Sequence, residues 1–259
     1  MNILDTIVAK KKIEVARDKL IRNIAALEKE VFYKKETKSF IDFLLRKDKT
    51  GIIAEFKRKS PSKGIINDTS TVEDVTANYV KYGASAISIL TDETFFGGSL
   101  TDLLKATLYD IPILRKDFIV DEYQVIESKA YGADIILLIA ACLSKKEVKT
   151  LASLAKNIGL NVLLEIHNED ELNHICDEID VTGINNRDLK TFKVDLKHSI
   201  ELCKKIPADK IKISESGIDD PQTIRHLKEN GFSGFLMSEK FMKEKNPGEA
   251  FGDFIKMIN

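Results

Sequence analysis

Cysteine is scarce, with Cys142, Cys176 and Cys203 standing far apart in 259 residues. An odd, scattered set makes neither a disulfide framework nor a C-x-x-C metal clip. Surplus charge is missing too: forty basic side chains face forty-one acidic ones, for a formal net charge of -1. A non-specific nucleic-acid binder needs a basic excess, so that class is disfavoured. The longest apolar run, Ile135 to Leu143, is nine residues, well short of the ~20 that span a bilayer. The opening residues, MNILDTIVAKKKIEV, contain no apolar export-signal core. No Pro/Gly/Ser-rich linker divides the chain, and G-x-G-x-x-G and H-E-x-x-H are both absent. The four histidines read as surface or core residues, with His167 and His174 wrongly spaced for a metal. What remains is a soluble globular chain, 43% hydrophobic and 31% charged, expected to be reduced and cytoplasmic.

A recurrence replaces the missing linker. Short runs rich in Ile, Val and Leu alternate with polar stretches of helical period: Gly51–Glu55, Ala86–Leu90, Ile111–Leu114, Asp134–Ile139, Asn161–Glu165, Val181–Ile184, Lys210–Ile213 and Gly234–Met237. Helix starts are marked by Ser70-Thr-Val-Glu73 and Ser144-Lys-Lys-Glu147, more loosely by Asn168-Glu-Asp-Glu171, and by Asp220-Pro221. Gly83, Gly132, Gly159 and Gly231 each stand just before the next run, where helices stop. Continuously apolar strands with helices between them predict a parallel sheet buried on both faces. Eight such units predict an α/β fold, a (β/α)8 TIM barrel. Residues 1–48 are expected to form a helical N-terminal extension of one barrel domain spanning 1–259, with stripes at Leu4, Ile7 and Val8 and at Phe40, Phe43 and Leu44. The lysines Lys10-Lys11-Lys12 read as a solvated helix face.

In a parallel barrel, reactive groups gather at the C-terminal strand ends. Those ends carry Glu55, Lys57 and Ser60; Arg115, Lys116 and Asp117; Glu165 and His167; Asn185, Asn186 and Arg187; Ser214, Glu215, Ser216 and Gly217; and Ser238 with Glu239. One such charge is an ordinary loop residue. Glu55, Lys57, Lys116 and Glu165 converging on one rim predict acid–base chemistry without a metal, the lysine made a usable acid and the glutamate a usable base by burial and neighbours. Glu215-Ser216-Gly217-Ile218, after the seventh run, reads as half of a phosphate site. Alternation along the third run turns Arg115 outward, away from Lys116.

These residues resemble a known family. Ile53-Ala-Glu-Phe-Lys-Arg-Lys-Ser-Pro-Ser62, Leu90-Thr-Asp-Glu-Thr-Phe-Phe-Gly-Gly-Ser99, Leu114-Arg-Lys-Asp-Phe118, Gly183-Ile-Asn-Asn-Arg-Asp-Leu189 and Ser214-Glu-Ser-Gly-Ile218 are similar to the motifs of indole-3-glycerol-phosphate synthase. The resemblance covers essentially the whole chain. It implies a cofactor-free, decarboxylating ring closure and dehydration of 1-(2-carboxyphenylamino)-1-deoxyribulose 5-phosphate in tryptophan biosynthesis. It further implies Lys116 as acid, Glu165 as base, and Glu55 with Lys57 holding the charge balance and assisting dehydration. Ser60, Asn185, Arg187 and Ser216 would bind substrate, and Phe95, Phe118 and Leu138 would wall the aromatic ring. Lys57, Gly217, Ser238 and Glu239 would meet the phosphate, although Ser238 replaces the usual glycine and the Glu239 carboxylate would repel an anion. The expected partner is that small phosphorylated anthranilate-derived substrate, with no nucleic acid and no membrane. A monomer is expected, with assembly among tryptophan-pathway enzymes left open. A sugar-phosphate isomerase barrel, such as phosphoribosylanthranilate isomerase, and a catalytically silent binding barrel are the competing readings.

Overall fold

Eight parallel strands close on themselves in the computed structural model, which describes residues 3–188 and 193–258. They are β1 (Ile52–Phe56), β2 (Ala86–Leu90), β3 (Ile113–Lys116), β4 (Ile135–Ile139), β5 (Asn161–Ile166), β6 (Val181–Asn185), β7 (Ile211–Glu215) and β8 (Gly234–Met237). Helix α1 (Ile3–Ile21) precedes them. The strands then alternate with α2 (Val72–Lys81), α3 (Leu100–Ala106), α4 (Glu122–Ala130), α5 (Lys145–Asn157), α6 (Leu196–Cys203), α7 (Pro221–Glu229) and α8 (Pro247–Ile258). After β5 a 3-10 segment, Glu169–His174, stands where a helix would. Leu189, which ends one of the motifs, lies outside the described residues. Among those described, no helix is long and apolar enough to cross a membrane.

The expected punctuation is largely present. Ser144 and Glu147 form a reciprocal capping box on α5, and Asp220 caps α7 with Pro221 in its first turn. At α2 the cap is Thr71, one residue later than expected, because its hydroxyl accepts from the Asp74 amide. The glycines before four strands all have φ between 83° and 92°, a left-handed conformation that other residues adopt only at a cost. One strand boundary moved with consequence. Pro112 has no amide to give the ladder, so β3 begins at Ile113 and takes Lys116 inside the strand.

Alternation divides the apolar side chains into two layers. Ile53, Leu114, Leu137, Leu163, Val181, Ile213 and Leu236 pack together inside the barrel. Their neighbours Ile52, Ile113, Ile136, Leu138, Val162 and Phe235 face outward and pack against the helices. The helix Phe40–Leu45 contributes Phe40 and Leu44 to the inner layer, and Leu44 lies against the starts of β7 and β8, so this segment plugs the barrel floor. Helix α1 lies at the opposite end. There Lys11 is buried, not solvated, and its ammonium lies 2.9 Å from Asp92 and 3.0 Å from Asp117.

Arg115 turns outward as expected and is fully enclosed. Its guanidinium meets Asp117 at 3.0 Å and Glu127 of α4 at 2.9 Å, and donates to Thr91 and Ser128. Burial pushes the Asp117 carboxyl up, but Arg115 and Lys11 outweigh it and hold it down at about 2. Removing one partner of a buried pair typically costs about 3–5 kcal/mol. Arg115→Met should therefore lose stability of that order in urea unfolding while keeping most of its turnover. The pH dependence has a sign as well. A depressed carboxyl stabilises the fold above its unfolded value of about 3.9, and that contribution disappears as pH falls through about 2. Acid unfolding of Arg115→Met should move to higher pH.

Candidate active site

The inner apolar layer gives way to charge toward the C-terminal ends of the strands. Two residues above Ile53 stands Glu55; above Leu114, Lys116; above Leu163, Glu165; above Ile213, Glu215. A strand repeats its facing every two residues, so these four side chains point into the barrel with the aliphatic ones below them. Parallel register sets Glu165 beside Gly183, and Asn185 beside Glu215. The three carboxylates are only 1–3% exposed.

Their hydrogen bonds fix their positions. The Lys116 ammonium lies 3.1 Å from Glu165 Oε2 and 3.9 Å from Glu215 Oε2. Asn185 donates to the other Glu165 oxygen at 3.0 Å. Lys57 lies 3.2 Å from Glu55, which also accepts from Ser88. Burial lowers the Lys116 pKa, yet Glu165, Glu215 and Glu55 outweigh it and hold the ammonium above the ordinary lysine range. Burial drives Glu165 up, but Lys116, His167 and Asn185 together outweigh it and hold the carboxyl well below the usual carboxylate range. The sequence-based expectation of a softened acid and a strengthened base is thus reversed by the neighbouring charges. The proton-holding carboxyl is Glu215, raised by burial first and by Glu165 next. Its Oε1 has no hydrogen-bond partner among the described residues.

Above this cluster opens a cavity of ≈ 390 Å³, in the range for a small-molecule site. Lys57, Ser60, Phe118, Arg187, Ser216, Gly217, Ser238 and Glu239 all line it. Two expected wall residues do not. Leu138 points outward into the helix layer, and Leu137 and Ile139 face the cavity instead. Phe95 is displaced by Phe96, whose ring stands 6.0 Å from that of Phe118. Helix α1 adds Ile3, Leu4 and Ile7 to the apolar side.

On the far side, Ser216 (φ 69°) and Gly217 (φ 66°) are both left-handed. Two such residues in succession turn their amides to one concave face, an anion-binding nest. Asn186 is buried and donates to the Ser216 carbonyl at 2.8 Å, which holds that turn. The Ser238 hydroxyl is buried with no partner among the described residues. Glu239 looks across the mouth, 3.7 Å from Lys63 and 3.8 Å from Arg187. Among the described residues no group of three or more His, Cys, Asp or Glu side chains is placed to hold a metal ion. Glu215, Asn186 and His167 were named at strand ends but given no part in the site. Glu215 could have been found by counting two residues on from Ile213.

Gly183 makes room for Glu215, since a Cβ there would collide with its Oε1. Gly183→Ala should swing the carboxyl away from Lys116 and cut turnover more than it cuts the thermal midpoint. Both are read on one purified sample.

The family model for indole-3-glycerol phosphate synthase matches residues 4–254. Curated relatives of that name include one from Bacteroides thetaiotaomicron, 47% identical over 99% of both chains. Another, from Alkaliphilus metalliredigens, is 43% identical over 95% of both. Among solved structures, the tryptophan synthase alpha chain of Legionella pneumophila superimposes with a TM-score of 0.61 at 15% identity, covering 85% of this chain and 96% of that one. The Pyrococcus furiosus tryptophan synthase complex gives 0.61 at 14%, covering 80% and 96%. These last two speak to the barrel fold alone. With a matching model over nearly its whole length and full-length relatives above 40% identity, the chain belongs to the indole-3-glycerol phosphate synthase family.

Proposed function

We propose that residues 1–259 act as one barrel domain that closes an indole ring on 1-(2-carboxyphenylamino)-1-deoxyribulose 5-phosphate. The observation that carries this reading is Lys116, held between Glu165 and Glu215 beneath a cavity with an aromatic wall on one side and an amide nest on the other. The aromatic ring lies against Phe96, Phe118 and the α1 side chains. The phosphate sits in the Ser216–Gly217 nest, with the free Ser238 hydroxyl and Lys57 beside it, since β1 adjoins β8 in the barrel. Ser60 and Arg187 contact the substrate's oxygens. Glu239 serves Arg187 and Lys63 and stays off the phosphate.

The steps balance as follows. The ring carbon bearing the carboxylate attacks the ketone carbon, and the ketone oxygen takes a proton from Lys116 to become a hydroxyl. The carboxylate leaves as carbon dioxide, and its bonding pair restores the aromatic ring. Lys57, beside Glu55, protonates the hydroxyl, which leaves as water, while Glu165 takes the C–H proton that completes the indole. One proton is consumed in sum, because an anion departs as neutral carbon dioxide. Lys116 is a poor acid among these carboxylates, but the developing alkoxide is a far stronger base than an amine, so the transfer runs downhill where it is needed.

Indole fluorescence after substrate addition tests the reading directly. Lys116→Met should lower turnover by about 10²–10⁴-fold, and the thermal midpoint should fall as well, because it leaves the buried Glu165 carboxylate without its cation. Near-normal turnover would remove Lys116 as the acid. Gly217→Val places a Cβ against Val194 and breaks the nest, so it should raise KM more than it lowers kcat. An unchanged KM would send the phosphate elsewhere.

A further inference from the structure

His167 directly follows β5, two residues beyond Glu165, and its ring turns back toward that carboxylate. Its side chain is nine-tenths buried, and each ring nitrogen meets a carboxylate. Nδ1 lies 3.2 Å from Glu171 Oε2, within hydrogen-bond reach, and Nε2 lies 3.1 Å from Glu165 Oε1, an ion-pair distance without hydrogen-bond geometry. Glu171 is itself held, accepting from the His167 amide at 2.7 Å and from Asn168 Nδ2 at 2.7 Å. From α6, His198 Nε2 lies 3.0 Å from the His167 carbonyl. A neutral imidazole has one N–H and one acceptor lone pair. Set between two carboxylates, it would turn that lone pair on an anion. The surroundings thus select the doubly protonated ring.

Lys116 and Glu165 form a buried pair, and in such a pair the proton has two homes. It can stay on the amine as an ion pair, or cross to leave a neutral amine and a neutral acid, which burial favours. A second cation against Glu165 tips that balance toward the ion pair. We propose that His167 is a positioning residue for the reaction, a standing imidazolium that keeps the transferable proton on Lys116 and off Glu165. It also keeps Glu165 anionic after Lys116 has given its proton away, ready for the later C–H proton. The inference rests on the reading of Lys116 as acid and Glu165 as base. Burial pulls the His167 pKa down, but Glu165 and Glu171 outweigh it and carry it up to about 10. The other titratable group nearby, the Cys142 thiol, is pushed up to about 12 by burial and by Glu165 and Glu171, so it stays neutral.

The test uses the full chain. With ¹⁵N-labelled histidine, both ring nitrogens of His167, assigned by their loss in His167→Gln, should remain protonated at pH 8.5. A neutral tautomer there overturns the proposal. His167→Gln should lose about 10–100-fold in kcat, the range for a lost outer partner of a reactive group, with KM and thermal midpoint nearly unchanged. His167→Ala should regain turnover with added imidazole, the more so as pH falls through about 6.5 and the additive becomes a cation. Pyrazole, the same size and neutral, should fail. Equal rescue by pyrazole, or normal kcat in His167→Gln, overturns the charge role. Glu165→Gln separates the two levels: if it is inactive while His167→Gln is normal, only this inference falls. If Glu165→Gln is active, the underlying reading falls with it.

Discussion

Three carboxylates around one ammonium, buried at the top of a hydrocarbon plug, is the arrangement that the rest of the molecule has to sustain. Glu55, Glu165 and Glu215 converge on Lys116 where water is nearly excluded. Charges in such a place survive only when each is met by an opposite charge or a hydrogen bond. Lys57 and Ser88 meet Glu55, Asn185 and His167 meet Glu165, and Glu215, pushed up to about 8 chiefly by burial, keeps its proton in the volume that Gly183 leaves. The strand register is part of the same constraint. A one-residue slip of any of these strands would turn its charge into the helix layer and an Ile or Leu into the site.

The cluster is joined to the outer shell through Asp117. This residue follows Lys116 directly, accepts Lys11 from α1 on one oxygen, and binds Arg115 through the other. Arg115 in turn reaches Glu127 on α4. The N-terminal helix, the third strand and an outer helix thus meet at one carboxylate beside Lys116. That geometry explains why α1 can supply Ile3, Leu4 and Ile7 to the cavity wall: Lys11 anchors the helix one turn further on.

The eight strands and most helix ends were legible because their signals are local. Apolar runs, capping residues and stop glycines act within a few positions of each other, and barrel closure follows from their number and parallel order. Lys116 and Glu165 were legible because charges abutting apolar runs have few structural excuses. Phase was harder. In Ile135-Ile-Leu-Leu-Ile139 every position is apolar, so nothing local tells Leu138 from Leu137, and only pairing with β3 and β5 decides. Phe95 and Phe96 are likewise adjacent on a single turn. Lys11 was hidden among three lysines, yet it shares the buried stripe of Ile7 and Val15 at i+4 spacing, and that pattern was readable. His167 was weighed as a metal ligand and set aside, when its relevant partners were carboxylates. One of them, Glu171, stands only four residues away.

The protonation states say where any rate enhancement must arise. Among these neighbours Lys116 holds its proton tightly and Glu165 resists taking one, so neither is poised by its own pKa. Such a pair offers little to a ground-state ketone, which is a feeble base. It offers most to an oxygen that has already gained negative charge, because the ammonium stands fixed and desolvated where that charge develops. On the reading of Lys116 as acid and Glu165 as base, the partners that hold Lys116 still, and that keep Glu165 charged beside it, bear on the barrier through those two residues. On that reading the rim of polar contacts around Glu165 sets the charge of both reacting groups and is more than a scaffold for them.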